Sequence, residues 1–459
     1  MNKKALLAVL MAMILLLSSC ALVVKDQAVD DATVIMKLGD KEITKKEIVS
    51  QINSQLNYNY QLYTAYGLSY DPTDPETVSS VQDSVIEAYK KELVITAKGK
   101  ELGLDQLTDE EKEKAQADAQ EAYDSDLDYV KQNVLKDTEG MEEEAIAKAA
   151  EEEMTKRGLT FDVYLEDATA SLVSDKVHDY AIKDVAVTDE EIQAEYDSKV
   201  EADKTSYAEA AGSWAAAANN GTTLYYTPAG VRRVKQILTK FHDEDQTAID
   251  DAKSQVTAAN TARTAAQAKI DSANETLAVE GLTEEEKAKA QEDLDAAQKE
   301  LEEADSALLA ANQAVTDATD KAFANIDAET DEILASLAAE GADWQAIMDE
   351  TNQDPGMKDN EKGYAVAADM TNFDSAFVEA AMALEKPGDI SGKVKGTSYG
   401  YYIIRYESDE AEGPVSLDAV KDGISSSLLS TKQTSTYNDT LAQWVEEAGI
   451  KVDLNALKD

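Results

Sequence analysis

Between Val231 and Glu280 the chain carries no glycine and no proline, and it carries none again between Leu282 and Glu340. Stretches of that length without either helix-breaking residue leave few architectures open. In the first, Ile249, Ala252, Val256, Ala259, Ala266, Ile270, Ala273 and Leu277 recur at helical spacing, with Arg263 the one interruption. In the second, the same spacing runs through Ala290, Leu294, Ala297, Leu301, Ala304, Leu308, Ala311, Val315, Ala318 and Ala322. Two neighbouring heptad seams, joined by a short turn at Gly281 with Thr283 as cap, predict an antiparallel coiled-coil hairpin over 243–322. Arms of about 30 to 35 residues reach about 45 to 50 Å.

Two β-rich runs flank this insertion. One is Val231-Arg232-Arg233-Val234-Lys235-Gln236-Ile237-Leu238-Thr239, and the other is Tyr399-Gly400-Tyr401-Tyr402-Ile403-Ile404-Arg405-Tyr406. Between the insertion and the second run come Gly341-Ala342-Asp343-Trp344, Asn352-Gln353-Asp354, Gly363-Tyr364, Phe377 to Leu384, and Gly388-Asp389-Ile390-Ser391. Over 231–408 this series resembles the parvulin-type prolyl isomerase domain, a small antiparallel sheet wrapped by helices. Pro414 closes the region, and 414–459 reads as a C-terminal helix or helix pair packing on the N-terminal domain.

The N-terminal part is helical by pattern. Val34 to Asp40 reads as a strand and turn, and Thr44 with Glu47 forms a capping box. A helix follows from about Thr77 to Leu102 and stops at Gly103. Leu107-Thr108-Asp109-Glu110-Glu111 and Val187-Thr188-Asp189-Glu190-Glu191 are further caps. In this order, and over 33–228, these devices resemble the chaperone domain of the PrsA and SurA foldases. The expected fold class is α+β: a mainly helical chaperone domain, plus a parvulin-like sheet-and-helix domain carrying the hairpin. Tyr58, Tyr60, Tyr63, Tyr66 and Tyr70 either line a groove for client proteins or pack that helical domain.

Residues 1–19 have the form of an export signal, with Lys3 and Lys4 ahead of an apolar run from Ala5 to Leu17. That run is too short to span the ~30 Å hydrocarbon core. Leu17-Ser18-Ser19-Cys20 resembles the lipobox of bacterial lipoproteins. The resemblance implies a lipid thioether on Cys20, a linker over 20–32, and a place on the extracytoplasmic face of the cell membrane. Cys20 is the single cysteine, so no intramolecular disulfide forms. With 92 acidic against 43 basic residues, nucleic acid is excluded as an expected partner. The expected partners are unfolded or nascent exported proteins, together with the membrane through the lipid.

The parvulin resemblance implies a site in which two histidines face each other beside an Asp or Cys, with apolar residues forming a proline slot. By position, Asp354 falls on the Asp or Cys place and Thr397 near the hydroxyl residue. Phe373, Phe377 and Met382 fall on the substrate-binding side. Both histidine places are changed, to Gln236 and Tyr402, and His178 and His242 match nothing in the pattern. Two readings follow: a peptidyl-prolyl cis-trans isomerase with altered machinery, or an inactive holdase or adaptor that keeps the fold for binding. Neither needs a cofactor or a metal. The hairpin then extends a client cradle, mediates homodimerisation, or serves as a spacer. No hydrolase, zinc-protease or nucleotide-binding fingerprint occurs.

Overall fold

The computed structural model describes residues 27–135, 142–358 and 360–457. The expected export signal and Cys20 lie outside the described residues. The chain forms two compact units. One comprises the residues up to Val187 together with Ser426 onward, and the other runs from Thr188 to Ser425.

In the first unit a short helix α1 (Gln27–Asp31) leads into an antiparallel hairpin, β1 (Val34–Leu38) and β2 (Lys41–Thr44). Thr44 then caps α2 (Lys45–Ala65). Its backbone N–H donates to the Glu47 carboxylate at 2.8 Å, and its hydroxyl accepts from the Glu47 N–H. Helix α3 (Pro75–Glu101) starts with Asp74 as cap and proline in its first turn, where the missing N–H costs nothing. Ile35, Met36 and Ile43 of the hairpin meet Ile48, Ile52 and Leu56 of α2 and Val81, Val85, Ile86 and Leu93 of α3. Helices α4 (Asp109–Tyr129), α5 (Glu143–Lys156) and α6 (Phe161–Ile182) complete this part of the unit. They share a smaller core of Leu127, Val130, Ala150 and Met154.

The second unit opens with α7 (Asp189–Tyr207) and α8 (Ala211–Asn219), so the last two helices of the expected 33–228 region belong with the sheet. Next come β3 (Tyr226–Thr227), β4 (Arg232–Lys240), α9 (Asp243–Leu277), α10 (Glu284–Leu337) and α11 (Trp344–Thr351). Then follow β5 (Tyr364–Val366), α12 (Ser375–Ala383), β6 (Val394–Lys395), β7 (Gly400–Asp409) and β8 (Gly413–Pro414). Helix α13 (Leu417–Ala448) is a single helix that starts in this unit and ends in the first.

The main sheet is antiparallel in the order β5-β4-β7-β6, and β3 pairs with β8 apart from it. Alternation along the central strands sends side chains to opposite faces. Val234, Leu238, Tyr402 and Ile404 face a core shared with Trp214 of α8 and Phe377, Val378 and Ala381 of α12. Ile237 and Ile403 face the other way, onto Ile333 of α10 and Trp344 and Met348 of α11.

Helices α9 and α10 form the expected antiparallel pair. Arg263 reaches Asp305 at 2.7 Å and Lys269 reaches Glu300 at 2.6 Å, while Asn325 donates to Asp245 at 2.7 Å near the root. Buried alanines repeat every seven residues, at 252, 259, 266 and 273 on α9 and at 290, 297, 304 and 311 on α10. The arms are unequal, at 35 and 54 residues, rather than two of equal length. Beyond Ala322 the stripe continues as Phe323, Ile326 and Ile333, which pack near or on the sheet's second face and keep α10 helical to Leu337.

Candidate functional site

A cavity of about 380 Å³ opens on the α12 side of the sheet. Register explains its first two residues. Gln236 of β4 pairs with Ile404 of β7, and Leu238 pairs with Tyr402, so Gln236 and Tyr402 project from the same face. Asp354 arrives from the loop after α11. That loop docks along β4 as a strand would. The Gln353 N–H donates to the Leu238 carbonyl at 3.0 Å, the Asn352 side chain accepts from the Leu238 N–H at 2.8 Å, and the Gln353 side chain accepts from the Lys240 N–H at 2.8 Å.

Asp354 is thereby held against three donors. The Gln236 amide donates to one carboxylate oxygen at 2.6 Å, the Tyr364 hydroxyl to the same oxygen at 2.9 Å, and the Gly356 N–H to the other at 2.9 Å. The remaining polar atom of Gln236, its Oε1, is buried without a partner among the described residues. Across the cavity Asp374 caps α12, accepting from the Ala376 N–H at 3.0 Å. Its second oxygen accepts from the Thr397 N–H at 2.6 Å, the Thr397 hydroxyl at 3.0 Å and the Tyr402 hydroxyl at 3.4 Å. This carboxylate ties the helix start, the β6–β7 turn and the strand together.

The apolar wall is aromatic. Ring centroids are 5.1 Å apart for Tyr364 and Phe373, 5.7 Å for Phe373 and Phe377, and 5.4 Å for Phe377 and Tyr402. These tilted and edge-on separations are favourable for aromatic pairs. Burial, then the nearby carboxylates, pushes the hydroxyls of Tyr364 and Tyr402 well above the ordinary phenol range. Both therefore remain protonated donors at neutral pH.

Five of the seven sequence-derived positions, Gln236, Asp354, Phe373, Phe377 and Tyr402, line this cavity. Thr397 stands one hydrogen bond back, behind Asp374. Met382 does not line it. Five residues along α12 turn it about 140° from Phe377, and its carbonyl accepts instead from Arg232 at 2.9 Å. Tyr364 and Asp374 carry as much of the geometry as any of these and were missed. Asp374-Ser375 directly before an apolar run is a capping signal that would have located one of them. His178 stacks edge-on against Tyr437 with centroids 4.6 Å apart, His242 precedes α9, and neither lines the cavity. Among the described residues no group of three or more His, Cys, Asp or Glu is placed to hold a metal ion.

The arrangement suits an uncharged, ring-bearing ligand, because the cavity offers aromatic surface whose neighbouring polar groups are held in place by one another. Comparison with known proteins bears on what that ligand is. No protein-family model matches the chain. Over 112 residues it is 35% identical to a foldase protein PrsA of Clostridium botulinum, and over 112 residues 35% identical to that of Clostridium kluyveri. The chain is a relative of the PrsA foldases. Each PrsA match covers 24% of this chain and 32% of the relative, so the chain spans about a third of the length of the curated relatives it matches. Among solved structures, the PrsA foldase of Streptococcus pneumoniae aligns over 93% of this chain and 97% of its own, at 14% identity and a TM-score of 0.21. A structure from work on the SurA-like chaperones PEB4 and Cj1289 of Campylobacter jejuni aligns over 72% and 92%, at 16% identity and a TM-score of 0.25. Among the described residues no helix is long and apolar enough to cross a membrane.

Proposed function

We propose that the chain is an extracytoplasmic foldase, tethered through a lipid on Cys20, that binds unfolded exported proteins and isomerises X–Pro bonds in the aromatic cavity. The observation that carries this reading is the convergence of Phe373, Phe377 and Tyr402 with Gln236, Tyr364 and Asp354 around one cavity on a four-stranded sheet. Rotation about an ordinary peptide bond faces a barrier of roughly 18–20 kcal/mol, and a proline's tertiary amide favours trans far less. Twisting the amide breaks its conjugation and reduces its charge separation. A water-poor aromatic wall therefore favours the twisted form over the planar one. The pyrrolidine ring rests against Phe373 and Phe377. The protonated hydroxyls of Tyr364 and Tyr402 line the cavity as fixed dipoles. No nucleophile and no proton transfer is required for this rotation, so the isomerase reading does not depend on the two replaced histidines.

A holdase that only binds is the second reading. Its support is the commitment of the Gln236 amide and the Tyr364 hydroxyl to Asp354, which leaves fewer donors for a reacting amide. A protease-coupled assay on a proline tetrapeptide, run beside suppression of client aggregation, separates the two. The isomerase reading expects turnover above the buffer rate that falls at least tenfold in Phe377→Ala while the fold persists by circular dichroism. A wild-type rate equal to buffer, with aggregation still suppressed, leaves the holdase.

A further inference from the structure

The helical hairpin meets the sheet at a clamped root. Where α10 returns to it, Phe323 and Ile326 join Phe241, Ile249, Ala322 and Tyr401 in a small buried cluster. Ring centroids there are 4.8 Å apart for Phe241 and Phe323, and 4.9 Å for Phe323 and Tyr401. One and two turns further along α10, Asp327 and Asp331 meet the ribbon formed by β6 and the start of β7. The Tyr401 hydroxyl donates to Asp327 at 3.0 Å, and Lys393 reaches Asp327 and Asp331 at 2.7 Å each. Lys395 lies over the Phe323 ring, 4.7 Å from its centroid. Lys393 first, and the Tyr401 hydroxyl second, hold the Asp327 carboxyl below its ordinary range, so it is an ionised acceptor at neutral pH.

We propose that Asp327, Lys393 and Tyr401 are positioning residues for the aromatic cavity, holding the β6–β7 ribbon so that Tyr402 and Thr397 stay seated on Asp374. None of the three lines the cavity. Their link to it is the ribbon. Successive strand residues face opposite sides, so Tyr401 enters the root cluster while Tyr402 enters the cavity. A shift of one side chain's backbone moves the other. Val394 and Lys395 pair with Tyr402 and Tyr401, and Val394 packs on the cavity-side core while the lysines beside it turn to α10. The turn between the strands is equally close. A Cβ on Gly396 would stand 2.6 Å from the Tyr402 ring and 2.9 Å from the Gly400 carbonyl, so the ribbon closes there only with glycine. A second tie runs from Phe241 of the root cluster, whose N–H donates to the carbonyl of Tyr399 at 2.9 Å, and Tyr399 lines the cavity. A partly exposed ion pair alone restrains little. Here the Asp327–Lys393 pair is joined to a buried ring cluster and a paired strand, which restrain it from both sides.

The test uses the full chain with Asp327→Asn or Tyr401→Phe, and reads amide hydrogen exchange at single residues by NMR. Asp374 supplies an internal reference, since one oxygen accepts from the ribbon at Thr397 and the other from α12 at Ala376. Exchange at Gly396 and Thr397 is expected to quicken at least fivefold in each variant, with Ala376 changing less than twofold. Unchanged exchange at Gly396 and Thr397 overturns the proposal. So does an equal rise at Ala376, which would be ordinary loss of stability. Should one variant fail to fold, the other serves. The consequence for rate rests on the isomerase reading. With a proline tetrapeptide, kcat is expected to fall at least fivefold while KM stays within twofold, because Phe373 and Phe377 keep the ring's seat while the Tyr402 hydroxyl loses its orientation. Asp327→Glu is expected to recover more than half of the wild-type kcat. A raised KM with unchanged kcat overturns the proposal. A wild-type rate equal to buffer sinks the isomerase reading alone, and the exchange comparison then decides whether the root seats the ribbon.

Discussion

Tyr364 and Tyr402 show how far single positions in the cavity are specified by burial. Each hydroxyl faces a carboxylate, Asp354 for one and Asp374 for the other, and each is packed among rings. Burial first, and the carboxylate second, hold the proton on each phenol past its ordinary value of 10.0. The unfolded chain releases those protons near pH 10 while the native state retains them. The stability they contribute is therefore complete below pH 10 and declines as pH rises above it. Tyr364→Phe and Tyr402→Phe are each expected to lower stability by about 0.5–1.5 kcal/mol at pH 8 through the lost hydrogen bond. They are also expected to make the fall in stability between pH 10 and 11 shallower than in wild type. Urea unfolding at pH 8, 10 and 11 checks both. Curves parallel to wild type across that range would show that neither phenol is shifted. The parvulin resemblance, carried over by position, pointed to Gln236, Asp354, Phe373, Phe377 and Tyr402, and these five line one cavity. The cap at Asp374 was readable from the sequence, but its place beside the cavity and that of Tyr364 were not, because both depend on which loop lies opposite which strand, and that is decided only when β4 has found β5 and β7.

At the level of elements, the helical hairpin was the most legible part of the chain, since seven-residue spacing survives any tertiary context. The four Thr-x-x-Glu capping boxes at Thr44, Thr108, Thr188 and Thr283 were equally readable, because each is local and each is formed. The end of α10 was not readable. Nothing in its own turn spacing distinguishes an alanine seam facing α9 from Phe323, Ile326 and Ile333 facing sheet and neighbouring rings, and the helix runs through the change without a break. The alanine seam sets the distance between the two helices, so its residues tolerate little added volume. Ala266 is 1% exposed and Ala297 1% exposed. Ala266→Leu is expected to cost about 1–3 kcal/mol by forcing the helices apart. By contrast, Arg263→Ala removes an exposed ion pair to Asp305 worth about 0–1 kcal/mol. Thermal unfolding by circular dichroism at 222 nm compares them, and equal melting temperatures for the two variants would mean that the seam is loosely packed.

Over the whole molecule, the charge and the proposed tether make opposite demands. A net charge of −49 keeps a chain rich in alanine soluble and repels it from anionic lipid, an effect that falls off within a Debye length of about 8 Å at physiological salt. Nothing in the composition compensates, since 43 basic residues are set against 92 acidic ones across the chain. On the proposed reading, residence at the membrane therefore rests on a lipid at Cys20 rather than on the charged body of the chain. Cys20→Ser removes the proposed attachment point. In cells the variant is expected in the soluble or secreted fraction. As purified protein it is expected to stay in the supernatant with vesicles of anionic phospholipid, both at low salt and at 0.5 M salt, because screening removes repulsion without creating attraction. Lipidated wild-type protein is expected to sediment with the same vesicles under both conditions. Sedimentation of Cys20→Ser with the vesicles would show that a surface of the folded chain binds lipid directly, and the lipid anchor would no longer be the sole tether.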